Sequence, residues 1–265
     1  MKRDFISVRD LTAKEIEEIF LLTQELKKKS LKFKGTLRDK VLALVFEKPS
    51  CRTRVSFEVG MFQLGGRSIY LGPEEVMLGK REPVKDIART LSRYVDAIVI
   101  RTFSHNNVLE MAKYATVPVI NGLSDLLHPC QALSDIFTIK EKLNTLKGIK
   151  IAFIGDGNNV CHSLLYATAI LGINMSVASP AGYEPKREIL KEAEELAKRN
   201  SAVIELFSEP KDAVKDADVV YTDVWTSMGQ EKEKKERKKR FKKFQLNREL
   251  LKYAKRSYLI MHCLP

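Results

Sequence analysis

The sequence has few of the features that mark a membrane, secreted or metal-stabilised protein. None of its apolar runs approaches the roughly 20 residues of a membrane span. Its start, MKRDFISVRDLTAKE, lacks the apolar segment of a signal peptide. The four cysteines are widely spaced and form no C-x-x-C pair, so neither a disulfide framework nor a zinc site is indicated. We therefore expect a cytoplasmic protein with no metal and no membrane partner.

Acidic residues are also few relative to basic ones, and the formal net charge is +12. Half of that excess lies in residues 231–243, EKEKKERKKRFKK, which carry nine Lys or Arg and three Glu. This segment mixes both signs and leads to Phe241 and Phe244 at i, i+3, as in a solvated helix with a small docking edge. No recognised nucleic-acid motif accompanies it, so we expect no nucleic-acid partner.

Apolar runs and helical patterns alternate along the whole chain, which predicts an α/β fold with parallel sheets. The length of 265 residues suits one large or two modest domains, and we expect two doubly wound domains joined near a helix at 129–145. The predicted strands are Val41–Phe46, Ser68–Leu71, Ala97–Ile100, Val117–Ile120, Ile149–Ile154, Asn174–Ala178, Val203–Phe207, Asp218–Thr222 and Tyr258–Met261. The predicted helices include an N-terminal one capped by Thr12 and those at Arg52–Leu64, Val84–Tyr94, Val108–Ala115, Pro129–Leu143, Val160–Leu171 and Lys186–Lys198.

The most informative segment is FEKPSCRTRVSFE, residues 46–58, where an apolar strand runs into a polar turn and a helix. Apolar residues at i, i+4 and i+7 predict that helix: Val55, Val59 and Phe62. Its first N–H groups and four side chains offer donors for an anion: Ser50, Arg52, Thr53 and Arg54. The alternative is a capped helix with solvated arginines.

Other polar residues follow the ends of predicted strands, where open α/β sheets bind their ligands. In the first half of the chain these are Arg101, after DAIVI, and His128 with Gln131 in LLHPCQ. In the second half they lie in GDGNN at 155–159, DVWTSMG at 223–229 and HCLP at 262–265. Together with the turn at residues 50–54, these make six polar groups at the ends of predicted strands, and we expect them to lie at one edge. Their number favours a ligand site over isolated structural residues.

These motifs resemble the aspartate and ornithine carbamoyltransferases. In that family the phosphate turn reads S-x-R-T-R and a second motif reads H-P-x-Q, and both are present here. The D-x-x-x-S-M-G and H-C-L-P motifs are similar to those of the ornithine branch. The resemblance covers essentially the whole chain.

The resemblance implies transfer of the carbamoyl group of carbamoyl phosphate to L-ornithine, giving L-citrulline and phosphate, with no cofactor and no metal. It implies a carbamoyl-phosphate domain at 1–134, an ornithine domain at 135–265, an active site in the cleft between them, and a homotrimer or an assembly of trimers. The implied carbamoyl-phosphate contacts are Ser50, Cys51, Arg52, Thr53, Arg101, His128, Gln131, Cys263 and Leu264. The implied ornithine contacts are Asn159, Asp223, Ser227 and Met228. The implied catalytic residues are Arg52, Arg101, His128 and Cys263, and either Cys263 or the departing phosphate takes the proton of the δ-amine.

Two departures from the family pattern and several alternatives remain at this point. The family has a polar loop residue near Met77, for which Lys80 or Arg81 is a substitute, and it continues beyond Pro265 into a segment with a substrate-side arginine. The chain is therefore either a truncation or a natural variant, and a noncatalytic carbamoyl-phosphate-binding form is one alternative. The others are transfer to aspartate, putrescine or an acylated ornithine, and a dehydrogenase, although the glycine fingerprint fails because Val160 stands where its last glycine would be.

Overall fold

The structure, a computed structural model, describes residues 2–226, 229 and 231–264. The chain divides into two compact units, one ending at Cys130 and the other beginning at Gln131. This division lies within the helix Pro129–Leu143, as does the predicted domain boundary at 134/135. The two units are described separately below.

The first unit contains a four-stranded parallel sheet with the strand order β2-β1-β3-β4. Its strands are β1 (Val41–Phe46), β2 (Arg67–Leu71), β3 (Ala97–Arg101) and β4 (Val119–Leu123). Five of the six residues of β1 are buried, as expected of a central strand covered on both faces. The order reverses between β1 and β3, so a ligand crevice is expected at the carboxyl ends of these two strands.

The second unit contains a five-stranded parallel sheet with the strand order β7-β6-β5-β8-β9. Its strands are β5 (Lys150–Ile154), β6 (Asn174–Ala178), β7 (Ile204–Phe207), β8 (Val219–Thr222) and β9 (Leu259–His262). Here the order reverses between β5 and β8, which places the expected crevice beside the GDGNN and DVW segments. The predicted α/β class with two parallel sheets is therefore confirmed.

The predicted helices lie close to helices of the structure, whereas three short helices were not predicted: Pro73–Val76, Pro210–Val214 and Arg248–Leu251. The helices are α1 (Ala13–Lys28), α2 (Cys51–Gln63), α3 (Pro73–Val76), α4 (Val84–Leu91), α5 (His105–Tyr114), α6 (Pro129–Leu143), α7 (Asn159–Leu171), α8 (Arg187–Arg199), α9 (Pro210–Val214), α10 (Lys234–Phe241) and α11 (Arg248–Leu251). The apolar residues that predicted α2 do not form its buried face, because Val55, Val59 and Phe62 are 50%, 44% and 79% exposed. Met61 and Phe57 pack against the sheet instead.

Helix α7 is buried along almost its whole length, from Val160 to Ile170. Such burial requires close approach of its neighbours, and Gly157 shows why the preceding loop is glycine-rich. A Cβ at Gly157 would lie 2.1 Å from the backbone nitrogen of Pro185. Gly157, which suggested a dinucleotide-binding loop, is therefore required by the close approach of the backbone at Pro185.

Within the basic segment 231–243, Lys234–Phe241 form α10, and short 3-10 helices flank it at Glu231–Glu233 and Lys242–Phe244. Both phenylalanines at its end are buried, with exposures of 0% for Phe241 and 5% for Phe244. The predicted solvated helix with an apolar docking edge is confirmed, although Arg237 within it is buried. Among the described helices, none combines the length and the apolar character that crossing a bilayer requires.

Candidate active site

The phosphate turn, defined here as Ser50–Arg54, follows β1 and begins α2. Ser50 is the N-cap, and its Oγ accepts a hydrogen bond from the Thr53 backbone N–H at 3.3 Å and donates to Thr53 Oγ1 at 3.0 Å. The side chains of Cys51 and Arg52 are exposed. The remaining N–H groups of the first turn carry partial positive charge, and the Arg52 guanidinium adds a full one. The turn can therefore bind an anion.

Arg54, the second arginine of this turn, contacts two side chains. Its Nε lies 3.1 Å from Glu58 Oε1, and its guanidinium stacks on the Tyr70 ring at 3.7 Å. One helical turn separates Arg54 from Glu58, so the i, i+4 ion pair is its observed partner, and its role as a second anion donor stays a prediction.

Arg101 and His128 lie at the edge of the same sheet. Arg101 is the last residue of β3, and its Nε is buried without a hydrogen-bond partner among the described residues. Burial lowers its pKa, although an arginine stays charged at neutral pH. Burial and the charge of Arg101 lower the pKa of His128 to about 3, so its imidazole is neutral at pH 7. A fixed charge and a neutral imidazole thus interact at this edge of the sheet, and together they can stabilise a developing negative charge.

Lys48 is a third cation at this edge, and the sequence interpretation missed it. Its side chain is 7% exposed, and its Nζ lies 4.1 Å from the centroid of the Phe103 ring. Burial, followed by the charge of Arg101, lowers its pKa. Its position between strand and turn was a signal that could have found it, since the first residues beyond a central strand face the ligand crevice.

The second unit has an acid and thiol edge, defined here as Asn158, Asp223 and Cys263, which follow β5, β8 and β9. Asp223 is 8% exposed, and its two oxygens accept from Asn158 Nδ2 at 2.6 Å and from Cys263 Sγ at 3.0 Å. Asn158 is also the N-cap of α7, and its Oδ1 accepts from two backbone N–H groups. The predicted Asn159 is the first residue of α7, one position after the asparagine that contacts Asp223.

Cys263 is a thiol in this arrangement. Burial, followed by the negative charge of Asp223, raises its pKa, so it keeps its proton at neutral pH and donates it to the carboxylate. The ligand atoms of Asp223, His262 and Cys263 lie within 4.8 Å of one another, a set that can hold a soft divalent metal only after the thiol loses its proton. Leu264, beyond Cys263, is 59% exposed, and its N–H donates to His262 Nδ1 at 2.8 Å.

The predicted contacts Ser227 and Met228 lie outside the described residues. The described ends of their loop are held by Arg237 of α10. Its Nη1 donates to Asp156 Oδ2 at 2.7 Å and to the carbonyl of Trp225 at 3.1 Å, and its Nε donates to Glu233 at 3.0 Å. The buried Arg237 thus ties the segment after β8 to the segment after β5. Sequence interpretation missed it because it is one of nine cations in the segment 231–243.

Comparison with known proteins gives the same family for both units. Residues 3–141 match the aspartate/ornithine carbamoyltransferase carbamoyl-P binding domain, and residues 147–265 match the Asp/Orn binding domain. The chain is 51% identical to the ornithine carbamoyltransferase of Anoxybacillus flavithermus, covering 99% of this chain and 84% of that protein. It is 53% identical to that of Thermococcus kodakarensis, with the same coverage.

Solved structures agree with these sequence matches. The ornithine carbamoyltransferase from Pyrococcus furiosus superposes with a TM-score of 0.95 at 52% identity, covering 99% of this chain and 85% of that chain. The anabolic enzyme from Campylobacter jejuni gives a TM-score of 0.94 at 42% identity, covering 100% of this chain and 86% of that chain. The matches span both parallel sheets and the edges described above, and the protein belongs to the aspartate/ornithine carbamoyltransferase family.

Proposed function

We propose that the protein is an ornithine carbamoyltransferase, which transfers the carbamoyl group of carbamoyl phosphate to the δ-amine of L-ornithine and releases L-citrulline and phosphate. The observation that carries this proposal is identity of 51–53% over 99% of the chain to proteins named for this activity. Similarity along both domains favours this activity over a dehydrogenase or a protein that only binds carbamoyl phosphate.

In the first unit, the phosphate turn holds the phosphate of carbamoyl phosphate. Ser50, Arg52 and Thr53 donate from side chains or backbone, and Cys51 contributes its backbone N–H. The geometry that supports this role is the preformed N-cap of α2, which leaves N–H groups and an exposed guanidinium at one place. An arginine and a helix N-terminus are suited to a tetrahedral oxyanion because they provide several charge-assisted donors.

Arg101, His128 and Thr53 stabilise the carbonyl oxygen, where negative charge grows as the amine attacks. The neutral imidazole of His128 donates a hydrogen bond without giving up a proton, and the buried Arg101 supplies the charge. Gln131 accepts from the carbamoyl NH₂. These donors act on an electrophile that already has a good leaving group, so they need only position and polarise it.

In the second unit, Asp223 and Ser227 bind the α-amino group of ornithine, while Asn159 and the Met228 backbone bind its α-carboxylate. Cys263, whose Sγ lies 3.0 Å from Asp223 Oδ1, is assigned to the δ-amine. Because its pKa is raised and its proton is donated to Asp223, we assign the thiol to positioning the amine. The new C–N bond forms as the C–O bond to phosphate breaks, and the departing phosphate takes the amine proton.

The δ-amine must be uncharged before it attacks. An alkylammonium has a pKa near 10.4, so most ornithine carries a charged δ-group at neutral pH. Buried surroundings of the kind that hold Cys263 disfavour a charged ammonium and promote loss of its proton. The reaction rate is therefore expected to rise from neutral to alkaline pH.

Assembly, location and direction belong to the same proposal. We expect a homotrimer or an assembly of trimers in the cytoplasm that works in arginine biosynthesis. Family resemblance supports the trimer, and the relative from Campylobacter jejuni is described as anabolic. Light scattering at assay concentration tests the trimer, and a monomer as the only species would refute it.

Citrulline formation by the purified full-length protein tests the proposed function. Carbamoyl phosphate is supplied with L-ornithine, L-aspartate, putrescine or N-acetylornithine in parallel. The proposal predicts efficient carbamoylation of L-ornithine and at most slow reaction of the other three. Equal or faster reaction of any other amine, or no carbamoylation of ornithine, would overturn it.

A further inference from the structure

A buried carboxylate on α6 lies one helical turn beyond Gln131. Asp135 is 5% exposed, and it accepts two hydrogen bonds from side chains. Gln131 Nε2 donates to its Oδ1 at 3.0 Å, and the Tyr221 hydroxyl donates to its Oδ2 at 2.9 Å. Burying an acid is costly unless its oxygens are satisfied, so these two donors are what allow a carboxylate at this position.

The contact with Asp135 determines which end of the Gln131 amide faces it. A carboxylate only accepts hydrogen bonds, and of the two ends of a glutamine amide only the NH₂ can donate. The NH₂ end is therefore directed to Asp135, and Oε1 is left as the acceptor. Accepting from a carbamoyl NH₂ requires that oxygen, because an NH₂ group facing another NH₂ group forms no hydrogen bond.

We propose that Asp135 is a positioning residue that fixes the Gln131 amide with Oε1 available to accept from the NH₂ of carbamoyl phosphate. This inference rests on the proposed function, within which Gln131 contacts the substrate and Asp135 acts only through Gln131. The i, i+4 spacing on α6 places the two side chains on one face of the helix, so the orientation is built in before substrate arrives.

Tyr221 fixes the carboxylate from the other side. It is fully buried in β8, and its ring stacks on Phe153 with centroids 5.6 Å apart. It lies two residues before Asp223, so the strand that leads into Asp223 also carries the donor that holds Asp135. The Gln131 amide is thereby tied to the second sheet through one carboxylate.

The charge state of Asp135 decides whether this orientation is maintained. The pKa of Asp135 is raised to about 7, because burial, which raises it, outweighs the hydrogen bonds from Gln131 and Tyr221, which lower it, and the charge of Asp223 raises it further. Cys263, beyond β9, faces the same group of side chains as a neutral thiol. A protonated Asp135 can itself donate to Gln131 Oε1, which turns the NH₂ end toward the substrate. Binding that depends on Gln131 should therefore weaken as pH falls below about 7.

Steady-state kinetics of Asp135→Asn test the proposal. An asparagine can donate to Gln131 Oε1 and so permits the inverted amide. We expect the KM for carbamoyl phosphate to rise about tenfold or more, since a buried polar group would face the wrong partner, with little change in the KM for ornithine. In a Gln131→Met background the same substitution should change neither KM. Tyr221→Phe, which leaves the Gln131 contact in place, is the matched control and should lower the melting temperature with a smaller change in KM.

A structural role alone would lower the melting temperature of both Asp135→Asn and Tyr221→Phe and leave the KM for carbamoyl phosphate unchanged, and that outcome would refute the proposal. Equal effects of Asp135→Asn with and without Gln131 would also refute it. If wild type makes no citrulline, the proposed function fails, which is a separate result.

Where Asp135→Asn does not fold, a second experiment replaces it. The binding of carbamoyl phosphate to wild type and to Gln131→Met is measured by calorimetry from pH 6 to 8. The proposal requires the affinity difference between the two proteins to shrink at low pH, and a constant difference contradicts it.

Discussion

Two arginines, one in each unit, illustrate two ways in which this protein uses charge. Arg52 is exposed at the start of α2, whereas Arg237 is 5% exposed and bonded to Asp156, Glu233 and a backbone carbonyl. An exposed guanidinium beside a helix N-terminus contributes little to folding but is free to meet an anion. A buried guanidinium that donates to three partners holds chain segments together. Substitution of Arg52 should therefore weaken anion binding with little loss of unfolding free energy, and substitution of Arg237 should mainly lower the unfolding free energy.

The largest expected effect comes from removing the buried arginine. Arg237→Met leaves Asp156 buried and unpaired, and breaking such a pair costs about 3 to 5 kcal/mol of unfolding free energy. Burial already raises the pKa of Asp156 despite its contact with Arg237. Chemical denaturation measures this loss, and Arg240→Met, which removes an exposed arginine from the same helix, is the control.

The double variant Arg237→Met with Asp156→Asn sharpens that test. Because it removes both charges, it should recover part of the stability that the single variant loses. Unfolding free energies that simply add would show that the two side chains do not act as a pair.

Substitution of Cys263 should lower the turnover number and leave the melting temperature nearly unchanged. Cys263→Ala removes the donor that faces Asp223 and misplaces the δ-amine, so turnover should fall on the order of 100-fold. Cys263→Ser keeps a donor at that position and should retain more activity than the alanine variant. If the sulfur only fills space, the alanine variant will have nearly normal turnover with a lowered melting temperature.

The phosphate turn offers a matched pair of substitutions with a smaller effect. Arg52→Ala should weaken carbamoyl-phosphate binding by about 1.5 to 3 kcal/mol, the value of a charged hydrogen bond, and leave unfolding unchanged. Arg54→Ala should weaken it much less, because Arg54 is occupied by Glu58 and Tyr70. Equilibrium titration of both folded variants decides between them, and equal losses would mean that Arg54 also faces the phosphate.

A further effect concerns the pH dependence of stability. In the folded protein the pKa of Asp135 is raised to about 7, whereas an unfolded aspartate titrates near 3.9. The folded state therefore binds more protons between these values, and the contribution of Asp135 to stability is complete below about pH 4 and is lost as pH rises through 7. The unfolding free energy of wild type minus that of Asp135→Asn should fall from pH 5 to pH 8, and a flat difference would contradict the raised pKa.

The strands and helices could be predicted because their signals are local. Apolar runs such as Val41–Phe46 and the capping pair of Thr12 and Glu15 appear in the sequence as they do in the structure. The ends of the strands then located Arg101, His128, Asp223 and Cys263 without knowledge of any ligand.

What could not be predicted depends on contacts between residues far apart in sequence. Arg237 pairs with Asp156, 81 positions away, and Tyr221 donates to Asp135, 86 positions away. Neither partner has a local signal that distinguishes it from a solvated charge or a core aromatic. The exposed face of α2 was misjudged for a similar reason, since helical spacing alone does not tell which side of the helix meets the sheet.

Calorimetric titration of carbamoyl phosphate into two folded variants, Arg52→Ala and Asp223→Asn, tests most directly whether the two units bind different substrates. The first removes the exposed charge of the phosphate turn, and the second neutralises the buried acid that faces Cys263 while preserving its shape. We predict that affinity for carbamoyl phosphate falls about tenfold or more in Arg52→Ala and stays close to that of wild type in Asp223→Asn, which instead raises the KM for ornithine. Equal loss of carbamoyl-phosphate affinity in both variants, or loss in Asp223→Asn alone, would contradict this prediction.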